Sequence, residues 1–321
     1  MRNIELLDYV LDYDDNFWIV NNITDGIAKG YVVYRVSDEG KLNNITGKRY
    51  IKDNDNNGIL EVPREFKRLF NPRNFYKNNK SNLEGIWKEY VLVLNEIGID
   101  DKDIGIFGSY LIGFDITKDV DFSIYGKDNL YKYYKNIEYI KKKLNVSSIS
   151  KEHVEYQYNK HKVKFSEKCD LKEIVSRNWS GIELDNGVLS TPRFIDLENM
   201  SIPKKCGIDK EVEVKVIEGI SSAMLPRVAI VKYNDEEYKV LSTLWKFQSF
   251  AHVGDVCKIY GNIDEEKKII ILDDTKCYIK YLEKSDKIVD DSVSNDAVFY
   301  YLKVSYMSLY STIILFKKGK I

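Results

Sequence analysis

Two aspartates, Asp119 and Asp121, occupy alternate positions at the start of an apolar run that extends to Tyr125. Alternate residues of a β-strand share one face, so we expect the two carboxylates to point the same way. Two like charges held that close are costly unless a cation lies between them. Carboxylate oxygens are hard ligands, which favours Mg²⁺, or the comparable ion Mn²⁺. The pattern therefore predicts a metal site at these two residues.

A glycine–serine pair, Gly108 and Ser109, stands ahead of these acids and directly follows the apolar run from Ile104 to Phe107. Glycine lets an anion approach the backbone closely, and a serine hydroxyl with the N–H groups of a new helix can bind phosphate oxygens. The pair is therefore a predicted site for the phosphates of a nucleotide. The alternative is an ordinary turn at Gly108-Ser109 beside two solvated carboxylates.

The order Gly108-Ser109 followed by Asp119-x-Asp121 resembles the Gly-Ser…Asp-x-Asp signature of the polymerase-β-like nucleotidyltransferase superfamily. The flanking strand, the helical turn with Gly113 and the second strand resemble it as well. The resemblance implies that an NMP is transferred from an NTP to a hydroxyl acceptor by two-metal in-line phosphoryl transfer. It also implies that Asp119 and Asp121 are catalytic metal ligands and that Gly108 and Ser109 hold the β- and γ-phosphates. The acceptor stays open among an RNA 3′ end, a protein side chain and a small molecule.

This chemistry implies a third carboxylate on a later strand beside the first two. Asp196, at the end of the run 193–196, is the first candidate for this catalytic position, and Glu183 is the second. Asp196 is equally consistent with a cap on the following turn, because aspartate is favoured in turns. Without a third acid, the chain would be a non-catalytic RNA- or nucleotide-binding protein on a degenerate nucleotidyltransferase core.

The arrangement of the whole chain also resembles a group of uncharacterised archaeal predicted nucleotidyltransferases. That wider likeness depends on short patterns, namely the run 47–50 (Gly-Lys-Arg-Tyr) and Gly254-Asp255 followed by Gly261-Asn262. It implies no particular substrate.

The chain has 321 residues, a formal net charge of −1 and 44% hydrophobic residues, which together predict two or three globular domains without a general affinity for polyanions. The four cysteines are widely spaced, so neither a zinc site nor a disulfide framework is predicted. No signal-peptide pattern opens the sequence, and we expect a cytoplasmic protein. The apolar stretch 297–316 has the length of a membrane span, but Lys303 and several Ser and Thr residues argue against insertion.

Hydrophobic patterning predicts an α+β fold in which a mixed sheet with helices, the nucleotidyltransferase core, lies between two β-rich units. The predicted divisions are a small β-rich N-terminal domain at 1–76, the core at 82–200, a small oligonucleotide-binding (OB)-like β-barrel at 208–285, and a tail of uncertain structure at 286–321. The barrel is predicted from five or six short strands separated by turns.

Within these divisions, strands are predicted at 17–20 and 31–36 and a short helix at 63–69, followed by a linker at 71–81. Helical spacing predicts helices at 82–98, 128–144 and 171–178. The triplet 185–187 (Asp-Asn-Gly) predicts a hairpin that carries Glu183 on its first strand.

Basic residues offer local contacts for a nucleic acid. Lys162 and Lys164 alternate and would share a strand face, whereas Arg177 and Trp179 combine a cation with a stacking surface. A packing role for Trp179 is equally consistent with the sequence.

Overall fold

The computed structural model describes residues 4–53, 59–114, 120–183, 189–198 and 200–289. Asp119 and the apolar stretch 297–316 lie outside these residues. The described chain is a mixed α+β structure whose strands form four sheets.

The described residues between 4 and 70 form one antiparallel sheet, and its second and third strands confirm the predictions at 17–20 and 31–36. The strand order is 4-3-2-1-6, and the fifth strand pairs with the third. The strands are β1 (Tyr9–Leu11), β2 (Phe17–Thr24), β3 (Ile27–Leu42), β4 (Arg49–Lys52), β5 (Leu60–Glu61) and β6 (Arg68–Phe70).

Two predictions in this region are wrong. The segment 63–69 forms no helix but leads into β6, because Phe70 pairs with Tyr9 across the sheet and is buried there. The predicted linker at 71–81 begins instead with a helix, Pro72–Asn79. Asn71 caps that helix by accepting the backbone N–H of Asn74 at 3.1 Å, and proline fits the first turn because it lacks an N–H group.

Residues 72–195 alternate helices with short strands. The predicted helix at 82–98 is confirmed, and so is the one at 171–178, whereas the segment 128–144 breaks at Asn136 into two helices. The elements are α1 (Pro72–Asn79), α2 (Gly85–Glu96), β7 (Ile104–Phe107), α3 (Gly108–Leu111), β8 (Asp121–Tyr125), α4 (Lys127–Lys135), α5 (Ile137–Leu144), β9 (Ser147–Ser148), α6 (Lys151–His161), α7 (Leu171–Ser176), β10 (Ile182–Glu183), β11 (Leu189–Ser190) and β12 (Arg193–Ile195).

The C-terminal part of the described chain is almost entirely β-structure. Its strands are β13 (Ile208–Glu218), β14 (Met224–Leu225), β15 (Arg227–Tyr233), β16 (Glu236–Ser242), β17 (Val256–Asp264), β18 (Ile269–Ile271) and β19 (Tyr278–Glu283).

Five of these strands close into a barrel in the order β13-β15-β16-β18-β17, because β13 also pairs along β17. The pairing of β16 with β18 is parallel, and the other four pairings are antiparallel. The prediction of a small closed barrel after residue 208 is confirmed.

The central sheet has the order β14-β12-β8-β7, in which β12 runs parallel to β8 and β7 runs antiparallel to it. One face carries Ile106, Phe122 and Phe194, which are buried in one cluster with residues of helices α2, α4 and α5. The other face carries Phe107, Tyr125 and Ile195, and the N-terminal sheet packs against it. The central sheet is therefore covered on both faces. Functional groups are accessible mainly at the ends of its strands, and we call the end that carries Asp121 the edge of the sheet.

The remaining sheet is small and has the order β11-β10-β9. The pairing of β10 with β11 confirms the predicted hairpin strands on either side of residues 184–188. In the described part of the chain, no helix combines the length and the apolar character needed to span a membrane.

The barrel contains a buried lysine, Lys246, whose side chain is 1% exposed. Its Nζ donates to the carbonyl of Cys277 at 2.8 Å and lies 4.1 Å from the centre of the Phe165 ring. Burial disfavours the charged form and lowers the pKa of Lys246 to about 8. The folded protein therefore binds a proton at this site less tightly than the unfolded chain does.

The contribution of Lys246 to the free energy of unfolding should rise by about 2 kcal/mol between about pH 7 and about pH 9.5, because over this interval the folded protein releases the Lys246 proton before the unfolded chain does. Burial raises the pKa values of Cys169, Cys257 and Cys277, which changes the stability of the whole protein in the opposite direction. The Lys246 contribution is therefore the difference between wild type and Lys246→Met, measured by urea unfolding at the two pH values. The same pH dependence in both proteins would contradict the assignment to Lys246.

Candidate functional site

Gly108 and Asp121 meet where β7 ends and β8 begins. Phe107 pairs with Asp121 across the two antiparallel strands, so the next residue of the chain, Gly108, lies beside the carboxylate. A Cβ on Gly108 would overlap the Oδ2 atom of Asp121, and the φ angle of Gly108 is +76°. Only glycine satisfies both conditions without strain. The predicted phosphate-binding turn and one predicted metal ligand are therefore in contact.

The element that follows is the short helical turn that the sequence predicts, since α3 is a single turn of four residues. A macrodipole sums over aligned peptide units, so this turn adds little to anion binding. Ser109 is half-buried at the turn. Local backbone geometry and side chains, rather than a helix terminus, therefore define the chemistry at Gly108-Ser109.

Two tyrosines of the N-terminal sheet reach this part of the central sheet. Tyr9, which is 4% exposed, lies close enough to Asp121 to be affected by its charge. Burial and then the nearby charge of Asp121 raise the pKa of Tyr9, and burial also raises the pKa of Tyr31. Both phenols are therefore neutral hydrogen-bonding groups at the rim of the site.

The strand on which the third acid was expected carries a cation instead. Arg193 opens β12, the parallel neighbour of β8, and pairs with Ser123. Paired residues of neighbouring strands share a face, as do Ser123 and Asp121, so Arg193 lies on the same face of the sheet as Asp121. Burial lowers the pKa of Arg193, and the charge of Asp121 opposes that shift. The guanidinium therefore belongs to the electrostatic environment of the carboxylate.

Gln248, from the segment between β16 and β17, completes this edge. Its Oε1 accepts a hydrogen bond from Nη1 of Arg193, and its Nε2 lies 3.4 Å from the Oγ of Ser180. The side chain of Gln248 is buried, so it fixes the orientation of Arg193 without neutralising it.

Asp196, predicted as the third carboxylate, lies elsewhere. Ile195 pairs with Tyr125, so Asp196 follows the opposite end of the strands from Asp121, roughly 15 Å away at ordinary strand rise. Its Oδ1 accepts the backbone N–H of Glu198 at 2.9 Å. This bond is the turn cap that the sequence offered as the alternative, and the structure does not bring Asp196 and Asp121 together.

Glu183, the second candidate, belongs to the separate sheet of β9, β10 and β11. Its carboxylate accepts the N–H of Ser150 at 2.6 Å and the hydroxyl of Ser150 at 3.1 Å. Ser150 is the N-cap residue of α6. Glu183 therefore stabilises the start of a helix.

Asp121 is the only predicted magnesium ligand among the described residues. Mg²⁺ binds through one or two carboxylates together with substrate phosphates, and Asp121 offers such a carboxylate beside Gly108-Ser109. Asp119, the other predicted ligand, lies outside the described residues. Among the residues that are described, no group of three or more His, Cys, Asp and Glu side chains could hold a metal. The adjacent strand contributes the cation Arg193 instead of a third ligand.

Comparison with protein families, curated proteins and solved structures finds no match to this chain.

Arg177, predicted as a nucleic-acid contact, is a structural residue. Its Nη2 lies 2.8 Å from Oδ1 of Asp255, and the two side chains are 8% and 0% exposed. The guanidinium also donates to the carbonyl of Ser285 and stacks 4.6 Å from the ring centre of Tyr281. This pair joins the end of α7 to the barrel and leaves little of Arg177 for a ligand.

Trp179, predicted as its stacking partner, packs inside the protein. Its ring lies 5.2 Å from that of Tyr134 and stacks at 6.3 Å on Phe194. The packing role that the sequence also allowed for Trp179 is the one observed.

Lys162 and Lys164 do not lie on a strand, so the predicted alternation on one strand face is wrong. They form a single 3₁₀ turn after α6, and both side chains are exposed.

The sequence reasoning missed Arg193, Gln248 and Tyr9 as members of the site. The one signal for Arg193 was its position, a charged residue that opens a short apolar strand. Gln248 and Tyr9 carried no such signal, because only the packing of distant segments brings them to the sheet edge.

The substitution Gly108→Ala should lower the free energy of unfolding by about 2–4 kcal/mol, because the methyl group adds a positive-φ penalty and displaces the Asp121 carboxylate. Denaturant unfolding measures this loss. Gly47→Ala is the matched control, since Gly47 has a φ of +68° with no atom within 4 Å of an added Cβ. The control should lose only about 1–2 kcal/mol, the positive-φ penalty. Equal losses in the two variants would argue against the contact with Asp121.

Proposed function

We propose that this chain binds a nucleoside triphosphate at the edge of the central sheet, on a nucleotidyltransferase-like core. The observation that carries the proposal is the contact between Gly108 and the carboxylate of Asp121. Gly108-Ser109 is the segment expected to bind phosphates, and Asp121 is an expected ligand of the accompanying magnesium. A bound Mg²⁺ would neutralise phosphate charge and link it to Asp121.

The surroundings of the contact support a ligand of this chemistry. Ser109, Asp121 and Arg193 are half-buried, so each keeps some surface toward solvent. A hydroxyl, a carboxylate that can hold a metal and a guanidinium are the groups with which proteins bind polyphosphates.

Binding without turnover is our first proposal because of Arg193. Two-metal transfer uses three carboxylates, and the strand beside Asp121 places a guanidinium on the shared face. A cation there repels a second metal ion and attracts phosphate.

Transfer of an NMP to a hydroxyl acceptor is the second candidate. The juxtaposition of Gly108 with Asp121 favours it, because transfer needs the phosphates beside the carboxylate. In that reaction the acceptor oxygen bonds to the α-phosphorus, the bond from that phosphorus to the bridging oxygen breaks, and pyrophosphate leaves.

An OB-like character of the barrel would favour RNA as the acceptor or ligand. The closed five-stranded ring supports that reading of the architecture, and Lys162 and Lys164 are exposed on the protein surface. Arg177 and Trp179 make internal contacts, so RNA is not part of the first proposal.

The full-length protein should bind at least one of the four common NTPs in the presence of Mg²⁺, as measured by titration calorimetry. Asp121→Asn should weaken that binding by about tenfold, because it removes the charge that holds the magnesium. Asp235→Asn is the control, since the Asp235 side chain is 96% exposed in a turn of the barrel. No binding of any NTP at about 1 mM, a concentration that detects weak sites, or an unchanged affinity in Asp121→Asn would refute the proposal.

The same protein incubated with labelled NTP, Mg²⁺ and total RNA separates the two candidates. We expect binding with no label transfer and no pyrophosphate release. Release that disappears in Asp121→Asn would instead establish the transferase.

A further inference from the structure

Two arginines lie on adjoining segments behind the candidate site. Arg193 opens β12 and Arg227 opens β15, and β14, which precedes β15, pairs with β12 in the central sheet. Nη1 of Arg227 donates to the carbonyl of Met224, which pairs with Phe194, the residue after Arg193. This placement agrees with the contribution of the Arg193 charge to lowering the pKa of Arg227. Two like charges in neighbouring positions raise the question of what compensates them.

Arg227 is almost fully enclosed, with 1% of its surface exposed. In the described part of the chain its side chain donates to two backbone carbonyls, Leu244 O at 2.9 Å and Met224 O at 2.8 Å. The carbonyls accept two of the five N–H groups, and no described residue places a carboxylate within ion-pair distance of Arg227. A fully buried arginine is ordinarily paired with an acid.

Arg193 lies nearer to the edge of the sheet and is half-buried. The one side-chain hydrogen bond that the described residues give it goes to Oε1 of Gln248, which is 5% exposed. A guanidinium has five N–H donors in a fixed planar arrangement. One donor is thus used to orient the group, which leaves donors for a ligand at the edge shared with Asp121 and Ser109.

We propose that Arg193, supported by the charge of Arg227, forms an anion subsite that binds a phosphate group directly, without a metal ion. Among the described residues of this edge, Asp121 supplies one negative charge against the two cations. A phosphate group supplies the missing negative charge and accepts parallel hydrogen bonds from the arginine. That this phosphate belongs to a nucleotide rests on the proposed function.

In this arrangement the two halves of the site bind opposite charges. Asp121 attracts the magnesium that accompanies a nucleotide, and Arg193 attracts the phosphates themselves. Asp121 also competes with a phosphate for Arg193 when no metal is present, because the carboxylate is then the only anion near the guanidinium in the described residues.

The first test titrates inorganic tripolyphosphate into the full-length protein in EDTA, which removes metal-dependent binding. Arg193→Gln should weaken binding by at least tenfold, and Arg193→Lys, which keeps the charge but loses the planar donors, by about three- to tenfold. The control is Arg73→Gln. Arg73 stacks on Tyr125, at the other end of β8, and its loss changes net charge equally. An equal affinity in wild type, Arg193→Gln and Arg193→Lys would overturn the proposal.

The second test uses the opposite charges of Asp121 and Arg193. In EDTA, Asp121→Asn should tighten tripolyphosphate binding several-fold, because Arg193 loses its competing carboxylate. Weaker or unchanged binding would overturn the subsite, and this readout still decides the case if Arg193→Gln fails to fold.

The two proposals fail in different ways. If NTPs bind with Mg²⁺ while the Arg193 variants bind tripolyphosphate as wild type does, the subsite is refuted and the proposed function stands. If wild type binds tripolyphosphate through Arg193 but no NTP, the subsite stands and the proposed function is refuted.

Discussion

The candidate site depends on the absence of a side chain at Gly108. The pairing of Phe107 with Asp121 brings the chain back on itself so closely that the carboxylate occupies the space of a Cβ on the next residue. Two segments separated in sequence are thereby held together by backbone hydrogen bonds, which tolerate little adjustment. The position of Asp121 relative to Gly108-Ser109 is therefore a property of the sheet, and side-chain rotation has little part in it.

The edge of the central sheet also carries positive charge that is partly removed from water, which lowers stability unless an anion compensates it. Desolvating Arg193 and Arg227 costs free energy, and neutral acceptors such as Gln248 and the carbonyl of Met224 recover only the hydrogen bonds. The Arg177–Asp255 pair shows the usual solution in the same molecule, a buried cation with its own carboxylate. Arg177 thus has a carboxylate partner, whereas the described residues give Arg227 only neutral acceptors.

The sequence predicted those parts of the site whose residues are close together along the chain, and it missed those that come from distant segments. The strand, the Gly-Ser turn and the strand with Asp121 follow from short-range periodicity, and the short barrel strands follow from alternation and turns. The parallel pairing of β12 with β8 joins residues about seventy positions apart, so no local pattern showed that Arg193, and not Asp196, would lie beside Asp121. The roles of Trp179 and Arg177 could not be assigned from the sequence either, because an aromatic or cationic residue looks the same in a sequence whether it packs inside the protein or binds a ligand. Asn71 and Pro72 did carry a local signal, an N-cap followed by proline, which the polar composition of 71–81 obscured.

Tyr9 of the N-terminal sheet is buried in the cluster that also contains Phe107, the residue paired with Asp121. Burial and the charge of Asp121 both raise the pKa of Tyr9, so this phenol stays neutral beside the carboxylate. One wall of the proposed site is therefore supplied by a second sheet. If a ligand binds there, its occupancy and the packing of the N-terminal sheet would be thermodynamically linked, and each would stabilise the other.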